Sequence, residues 1–315
     1  MKGELCSILV PVYNREETIE EAIKAALNQT YENIEVVVVD NCSEDKTWDK
    51  LRELASKDKR LRIFRNDKNI GPVKNWKKCV ELAKGKYAKF LWSDDLISYN
   101  FLEKTIPFLA ENNRVGFVFT KTEIFYNKPG DGKIVYDIGE TGVYRSEDYI
   151  NGVLFGRNFP VSPGCAVFRL EDLAHNLIID IPNKCEIDFA NVAIGNDLLI
   201  FLLTASRYPY LAFVNETLSF FRSYKDSISV LSGSAKLSLH YTLAAAYFVE
   251  NFRKDLIKKM NTRIWLNLIR YRKEAKLYNL DKIQNYYLDN NDYSKDYALL
   301  FATVLKFVLR KVFKK

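Results

Sequence analysis

Four short apolar segments alternate with amphipathic segments over the first hundred residues, and this alternation limits the fold more than any other feature. The strand candidates are residues 6–12, 34–40, 61–65 and 87–92. The helix candidates between them are residues 16–28, 43–57 and 72–83, where apolar or small side chains recur at helical spacing. Repeated strand–helix units build a parallel sheet with helices on both faces. The sequence therefore predicts an α/β fold with a doubly wound, mostly parallel sheet.

Acidic residues stand where two of these strands end. Asp40 closes the second strand, and Ser93-Asp94-Asp95 follows the fourth. Ligands of such sheets bind beyond the carboxyl ends of the strands. Clustered carboxylates repel one another unless a cation neutralises them, and oxygen ligands suit Mg²⁺ or Mn²⁺, which also bind substrate phosphates. The clustered carboxylates therefore predict a metal-dependent enzyme with a diphosphate substrate. The sequence has no GxGxxG after the first strand and no P-loop motif, so it does not support dinucleotide redox chemistry or a P-loop site.

The net charge of +7 is unevenly distributed along the 315 residues. Residues 251–315 contain 16 basic and 6 acidic side chains, a net +10, whereas residues 1–250 have a net charge of −3. A basic end favours an anionic partner, either a phospholipid surface or nucleic acid. Five scattered cysteines without a CxxC or Cys/His cluster indicate reduced thiols rather than disulfides or a zinc site.

The last residues have the pattern of an amphipathic basic helix. Eleven of the seventeen residues in 299–315 are apolar, and a helix would align Thr303, Lys306, Arg310 and Lys314 in one stripe. Such a helix suits a membrane interface, although a terminal helix docked on the protein's own core has the same pattern. No apolar leader and no spanning run of apolar residues is present. We therefore expect a cytoplasmic protein that binds the inner leaflet peripherally.

Six further motifs occur in a fixed order along residues 5–230. They are Val10-Pro11-Val12-Tyr13-Asn14, Val39-Asp40-Asn41-Cys42-Ser43-Glu44-Asp45, Asn69-Ile70-Gly71 with Lys74-Asn75, Leu91-Trp92-Ser93-Asp94-Asp95, Asn196-Asp197-Leu198-Leu199, and Asn215-Glu216-Thr217-Leu218 with Phe221-Arg222-Ser223-Tyr224. This series resembles the family 2 glycosyltransferases, an inverting group with the GT-A fold. The resemblance implies transfer of a sugar from a nucleotide-diphospho-sugar in bacterial cell-surface polysaccharide assembly.

The resemblance also implies a role for each matching residue. The nucleotide would contact Pro11, Val12, Tyr13, Asn14 and Asp40, with Asp40 accepting a hydrogen bond from the base, while Asn69 and Gly71 form the adjacent loop. Asp94 would contact the ribose, and Asp95 would ligate the Mn²⁺ or Mg²⁺ that bridges the phosphates. Ser93, among the substrate-binding residues, could donate a hydrogen bond or ligate weakly. Lys74 and Arg222 would pair with the diphosphate, since the planar guanidinium of arginine suits phosphate oxygens. Asp197 would be the general base.

The sequence departs from the family pattern at three of these motifs. Ser93 stands at the first acidic position of the metal motif, Asn196 precedes Asp197 in place of an acid, and Tyr224 replaces the usual histidine after Arg222. Glu186 and Asp188 are alternative general bases on a nearby loop. The resemblance implies a UDP- or dTDP-sugar as donor, with a UDP-sugar favoured, and a glycan or polyprenyl-diphosphate-linked glycan as acceptor.

The sequence divides into a catalytic part and a helical extension. We expect a catalytic domain over residues 1–232, with a nucleotide-sugar half at 1–97 and an acceptor half at 98–232, followed by the basic extension at 233–315. Two other functions compete with glycosyl transfer. A nucleotidylyltransferase would need a Gly-rich basic loop after the first strand, which is absent. A non-catalytic protein could bind membrane or nucleic acid through its basic tail, but no nucleic-acid-reading motif occurs there, so no nucleic-acid partner is expected.

Overall fold

The structure is a computed structural model that describes residues 3–156, 158–224 and 228–301, without the side chains of 228–231. The strands are β1 Cys6–Val12, β2 Ile34–Asp40, β3 Leu61–Arg65, β4 Tyr87–Phe90, β5 Leu96–Ile97, β6 Val115–Phe125, β7 Lys133–Val135, β8 Gly142–Arg145, β9 Ala166–Arg169 and β10 Tyr210–Arg222. The helices are α1 Ile19–Leu27, α2 Thr47–Lys57, α3 Pro72–Leu82, α4 Phe101–Glu111, α5 Ser146–Phe155, α6 Leu170–Asn176, α7 Phe189–Val192, α8 Asn196–Arg207, α9 Ile228–Phe252, α10 Ile257–Arg270 and α11 Arg272–Leu277.

The strands form one sheet in the order β3-β2-β1-β4-β9-β6-β10-β5, with β7 beside β6 and β8 beside β10. Strand β1 pairs in parallel with β2 and β4, β2 pairs in parallel with β3, and β6 pairs in parallel with β10. Strand β9 runs antiparallel between β4 and β6. The expected α/β fold with a mostly parallel, helix-flanked sheet is confirmed.

Both faces of the first strands are covered by helices, which explains their uniformly apolar sequence. Every residue of β1 and β2 is buried. On one face, Ile8 and Val10 belong to a core cluster with residues of α1, α2 and α4. Helix α3 packs against β1 and β2 from the other side, where it buries Val73, Trp76 and Val80. Parallel strands buried on both faces have this continuous apolar pattern.

An aromatic cluster forms the core beneath the second half of the sheet. The ring of Phe117 lies 4.9 to 5.6 Å, centroid to centroid, from those of Tyr149, Phe168 and Phe201. These rings come from β6, α5, β9 and α8, so the cluster joins strands β6 and β9 to helices α5 and α8. Paired aromatic rings at these separations contribute beyond their buried area.

The chain forms two compact units. One comprises Met1–Asp180 with Phe189–Leu231, and the other comprises Ile181–Asp188 with Ser232–Lys315. The short segment joins the second unit partly through Cys185, whose sulfur contacts the carbonyl oxygens of Asn279 and Asn285 at 3.1 and 3.5 Å. The sequence did not indicate that residues 181–188 belong to the second unit.

Within the described residues, no helix is both long enough and apolar enough to span a bilayer. The polar stripe of the predicted terminal helix, Thr303, Lys306, Arg310 and Lys314, lies outside the described residues.

Candidate active site

Strand order brings the loop after β1, Asp40 and the Asp94-Asp95 segment to one edge of the sheet. Strand β1 lies between β2 and β4, and Val12 pairs in register with Asp40. The loop after β1 therefore begins beside the end of β2, and the Asp94-Asp95 segment follows the strand on the other side of β1. Parallel pairing alone requires this convergence, since the carboxyl ends of parallel strands meet at the same edge.

Asp40 is fully buried and holds the turn that follows it. Its carboxylate accepts hydrogen bonds from the backbone N–H of Ser43 at 3.2 Å and from the Ser43 hydroxyl. Arg65, at the end of β3, lies 3.1 Å from Asp40 Oδ2 through Nε, with its guanidinium over the Trp48 ring. The Arg65 side chain is 38% exposed and that of Asp40 is 0% exposed, so the guanidinium covers the carboxylate. Sequence reasoning did not single out Arg65.

The loop after β1 is tied to the same turn. The backbone N–H of Asn14 donates to Ser43 Oγ at 2.9 Å, and Asn14 Oδ1 accepts from the N–H of Glu44 at 2.9 Å. Asn14 has a φ of 50°, a left-handed conformation that asparagine tolerates better than most residues. Tyr13 is 36% exposed, whereas Pro11 and Val12 are buried in β1. Of this motif, the structure presents mainly the Tyr13 ring to solvent.

A network of neutral amides shapes the loop that contains Asn69 and Gly71. Asn69 Oδ1 accepts from Asn41 Nδ2 at 2.8 Å and from the N–H of Gly71 at 2.9 Å. Asn66 Nδ2 donates to Asn41 Oδ1 at 3.0 Å and to Asn75 Oδ1 at 2.9 Å. Because Asn41 follows Asp40 directly, the network joins this loop to the end of β2.

Gly71 is required by its surroundings as well as by its backbone. Its φ is 85°, and a Cβ atom there would lie 2.3 Å from Asn191 Oδ1. Glycine alone adopts this conformation without strain and leaves that space open. The turn leads directly into α3, whose first turn holds Lys74 with an exposed side chain.

Asp94 and Asp95 meet Arg222, the last residue of β10. The backbone N–H of Arg222 donates to Asp95 Oδ1 at 2.8 Å, and its Nε donates to the carbonyl oxygen of Asp94 at 3.0 Å. The Asp94 carboxylate accepts a hydrogen bond from the Tyr224 hydroxyl and lies 3.4 Å from Arg15 Nε. Tyr224, a departure from the family pattern, is thus a direct partner of the acidic pair.

Asp95 is buried, and only one of its two carboxylate oxygens accepts a hydrogen bond from the described residues. Burial, followed by the negative charge of Asp94, raises the pKa of the Asp95 carboxyl well above its ordinary value. Among the described residues, hydrogen bonds reach only its Oδ1 atom, which leaves Oδ2 for a ligand. No group of three or more His, Cys, Asp or Glu side chains suited to a metal occurs in the described ranges. One carboxylate fits Mg²⁺ or Mn²⁺ where substrate phosphates and water complete the coordination.

Asp197 lies in the first turn of α8 and is 7% exposed. Its Oδ1 accepts from the N–H of Gly195 and of Leu198, both at 2.9 Å. The preceding Asn196 anchors the turn by donating from Nδ2 to the carbonyl oxygens of Ile178 and Ile179, both at 2.9 Å. The negative charge of Asp197 is therefore held at the start of a helix, where negative charge is favoured.

Tyr136 is a half-buried residue that sequence reasoning missed, and its hydroxyl interacts electrostatically with Asp197. Burial raises the pKa of the Tyr136 hydroxyl, and the charges of Cys165 and Asp197 raise it further. Its φ of 62° is unusual for an aromatic residue. The irregular segment around it has no periodicity that would have indicated this position.

The alternative bases Glu186 and Asp188 lie in the segment that belongs to the second unit. Both side chains are exposed, and Glu186 has a φ of 56°. Their environment is therefore solvated, unlike that of Asp197.

Lys89 is a third residue that the sequence analysis overlooked. It lies on β4, is fully buried, and donates from Nζ to the carbonyl oxygens of Gly164 and, at 3.3 Å, of Phe90. Burial lowers the pKa of its ammonium group to about 7, while the charges of Cys165 and Asp95 act in the opposite direction. A lysine in the middle of an otherwise apolar strand was the available signal.

Trp92 helps to hold the same turn that Lys89 contacts at Gly164. Its Nε1 donates to Ser162 Oγ at 2.9 Å, and Ser162 precedes the short 3-10 turn Pro163–Cys165. Together the two side chains fix this turn beside the end of β4.

The family model called Glycosyl transferase family 2 matches residues 7–176, more than half of the chain. The chain therefore belongs to glycosyl transferase family 2, and the resemblance seen in the motifs is confirmed.

Two relatives illustrate the reach of the sequence similarity. An uncharacterized glycosyltransferase of Haemophilus influenzae is 39% identical over 115 residues, which cover 36% of this chain and 46% of the relative. The Escherichia coli protein WfaP, a UDP-Glc:alpha-D-GlcNAc-diphosphoundecaprenol beta-1,3-glucosyltransferase, is 34% identical over 148 residues, 47% of this chain and 54% of WfaP. The matched part of this chain thus spans about half the length of these relatives.

The fold similarity extends further than the sequence similarity. The crystal structure of S. aureus TarS 1–349 in complex with UDP-GlcNAc matches with a TM-score of 0.61 over 88% of this chain and 73% of that chain. The sequence identity is 17%, so this likeness shows the shared fold alone.

We expect Lys89→Met to flatten the pH dependence of the free energy of unfolding between about pH 7 and pH 10. The folded state releases the Lys89 proton near pH 7, whereas an unfolded lysine keeps it up to about pH 10.4. Because the unfolded state binds more protons in this window, Lys89 makes the wild type lose stability as the pH falls from about 10 towards 7.

Urea denaturation at several pH values measures this effect. The slope for Lys89→Met should be smaller than that of the wild type by up to about 1.4 kcal/mol per pH unit. Lys86→Met removes an exposed lysine that pairs with Glu4 and serves as the matched control. Identical slopes for wild type and Lys89→Met would show that Lys89 stays charged in the folded protein.

Proposed function

We propose that this chain is a metal-dependent, inverting glycosyltransferase that moves a sugar from a UDP-sugar to a hydroxyl of a lipid-linked glycan in surface polysaccharide synthesis. The observation that supports it most directly is the cluster of Asp94, Asp95 and Arg222 at the strand edge of a family 2 domain. We assign catalysis to residues 1–232, with the donor half at 1–97 and the acceptor half at 98–232, and membrane association to 233–315.

The choice of donor and acceptor draws on the relatives. WfaP acts, by its description, with UDP-Glc on a GlcNAc-diphosphoundecaprenol, and TarS has been crystallised with UDP-GlcNAc. A lipid-linked acceptor also agrees with the basic residues of 251–315, which favour an anionic membrane surface.

The donor half would bind the nucleotide along the loops after β1, β2 and β3. Tyr13 offers an exposed ring for the base, and Asn14, with Pro11 and Val12, sets the path of the loop. For Asp40 to accept a hydrogen bond from the base, Arg65 must first turn away from its carboxylate. Asn69 and Gly71 would shape the wall of the pocket.

The diphosphate would lie between the acidic pair and the basic side chains. Asp95 Oδ2 would hold Mg²⁺ or Mn²⁺, with Asp94 and Ser93 towards the ribose. When bound, the metal would neutralise negative charge on the phosphates. Arg222 and the exposed Lys74 would pair with phosphate oxygens and stabilise the leaving group.

The transfer itself is a single displacement. The acceptor oxygen forms a bond to the anomeric carbon from the face opposite the diphosphate, and the bond between that carbon and the phosphate oxygen breaks. Asp197 takes the proton of the acceptor hydroxyl, and the nucleoside diphosphate leaves with the electron pair. A positioned general base contributes about 10²–10⁴-fold to the rate.

Asp197→Asn should lower the turnover number by at least about 10²-fold while donor affinity stays within about twofold. The amide keeps the shape of the side chain but cannot take the proton. Turnover with a lipid-linked acceptor and calorimetric titration with UDP measure the two effects. Glu186→Gln and Asp188→Asn are the comparison variants, and a loss confined to one of them would move the base to that residue.

Asp95→Asn should abolish the metal-dependent part of donor binding. The amide oxygen can still accept the N–H of Arg222, so the loop is kept, but the charge that attracts the cation is gone. Thermal shifts with UDP-, dTDP-, GDP- and CDP-sugars, each with Mn²⁺ and with EDTA, measure this. A ligand at a hundred times its Kd stabilises the wild type by about 2.7 kcal/mol.

Two results would contradict the assignment. If no nucleotide-sugar stabilises the wild type, the proposed enzymatic activity fails. If Asp95→Asn keeps the full Mn²⁺-dependent shift, the metal ligand lies elsewhere.

Removal of residues 297–315 should release the protein from anionic liposomes while leaving transfer to a soluble acceptor intact. The tail pattern predicts an interfacial helix with basic side chains against acidic lipids. Cosedimentation measures binding, and a variant with Lys306, Arg310 and Lys314 changed to Gln separates charge from apolar contact. Unchanged liposome binding after the truncation would refute a membrane role for residues 297–315. These residues would then not attach the protein to the cytoplasmic face of the membrane.

A further inference from the structure

The guanidinium group of Arg222 is held from three directions. Its Nε donates to the carbonyl oxygen of Asp94 at 3.0 Å, its plane lies over the Phe125 ring at 4.7 Å from the centroid, and its terminal NH2 donates to Glu21 Oε2 at 2.6 Å. The Arg222 side chain is 18% exposed and that of Glu21 is 56% exposed. The ion pair therefore lies at the surface of the site, with Glu21 on the outside.

Glu21 reaches this position from the solvent-facing side of α1. The helix buries Ile19, Ala22, Ile23 and Ala26, which leaves its two consecutive glutamates pointing outward. Glu20 pairs with Lys24 one turn further along the same helix at 2.7 Å. Glu21 instead pairs with a residue 201 positions away in the sequence.

We propose that Glu21 competes with the donor diphosphate for Arg222 and thereby speeds release of the nucleoside diphosphate product. This inference rests on the proposed function, because it takes the partner of Arg222 to be a diphosphate. In the absence of the nucleotide, Glu21 neutralises the guanidinium, and the incoming phosphate oxygens displace it.

The geometry favours displacement over a fixed structural bridge. The Nε edge of Arg222 is used by Asp94, so phosphate oxygens must approach the terminal nitrogens, one of which is bonded to Glu21. Phosphates bind such an edge with two charge-assisted hydrogen bonds. An ion pair with one exposed partner is screened by water and contributes little to stability. Replacing it by a contact with phosphate therefore costs little free energy.

Arg222 does not depend on Glu21 for its position. The Asp94 carbonyl and the Phe125 ring still fix the guanidinium when the glutamate is neutral. Removing the charge of Glu21 should therefore free the terminal nitrogens of Arg222 without disordering it.

Glu21→Gln should bind UDP about two- to fivefold more tightly than the wild type, the range expected for losing one partly exposed ionic competitor. Isothermal titration with UDP and Mg²⁺ measures the Kd, and stopped-flow displacement should show a UDP dissociation rate slower by a similar factor. Glu20→Gln removes the same charge one residue earlier and should leave both values at the wild-type level. Glu21→Ala should repeat the effect of Glu21→Gln.

A double-mutant cycle with Arg222→Gln tests the route of the effect. If Glu21 acts through Arg222, Glu21→Gln changes the UDP affinity of the wild type but not that of Arg222→Gln. An equal gain in both backgrounds would mean that Glu21 only repels the diphosphate at a distance, and it would overturn the inference.

The remaining outcomes separate this inference from the proposed function. If the wild type binds UDP and Glu21→Gln binds it equally or more weakly, the competition is refuted while the enzymatic assignment stands. If the wild type binds none of UDP, CDP, GDP or dTDP with Mg²⁺, the proposed function and this inference fail together.

Discussion

Two adjacent carboxylates at the end of β4 need compensating groups, and the arrangement around them supplies these from distant parts of the chain. The main-chain continuation of Asp95 is β5, which pairs antiparallel with β10 through Leu96 and Phe220. That pairing brings the backbone N–H of Arg222 to Asp95 and its guanidinium to the Asp94 carbonyl. A two-residue strand thus fixes the distance between the acidic motif and the closing motif, although some 127 residues separate them. Without it, Asp95 would lose the hydrogen bond from Arg222, which offsets part of the cost of its burial.

The fold and the acidic edge of the site were readable from local patterns. Parallel strands buried on both faces need continuous apolar runs, and β1 and β2 have them. Asp40 and Asp94-Asp95 end such runs, and parallel pairing leaves them only one edge to occupy. Family membership, now shown by the match over residues 7–176, followed from the order of the motifs.

The partners of these residues could not be read in the same way. Arg65 and Glu21 look like ordinary charged residues at the end of a strand and on the outside of a helix. Their roles come from contacts across 25 to 201 positions, such as Arg65 with Asp40 and Glu21 with Arg222. Periodicity describes what a residue does within its own element, and it contains no information on such contacts. The packing of residues 181–188 with the second unit was missed for the same reason.

The loop between β3 and α3, which an asparagine network ties to the end of β2, is held in a chemically different way from the acidic cluster. Asn41, Asn66, Asn69 and Asn75 connect to one another through amide groups, which have no charge to gain or lose. Amides keep their hydrogen bonds over the whole range of acidity in which proteins stay folded, and mobile ions in the solvent screen them far less than ion pairs. The loop that holds Asn69 and Gly71 should therefore keep its shape when acidity or ionic strength changes. The bonds between full charges, such as those of Arg65 with Asp40 and of Arg222 with Glu21, are the parts of the site that respond to the medium.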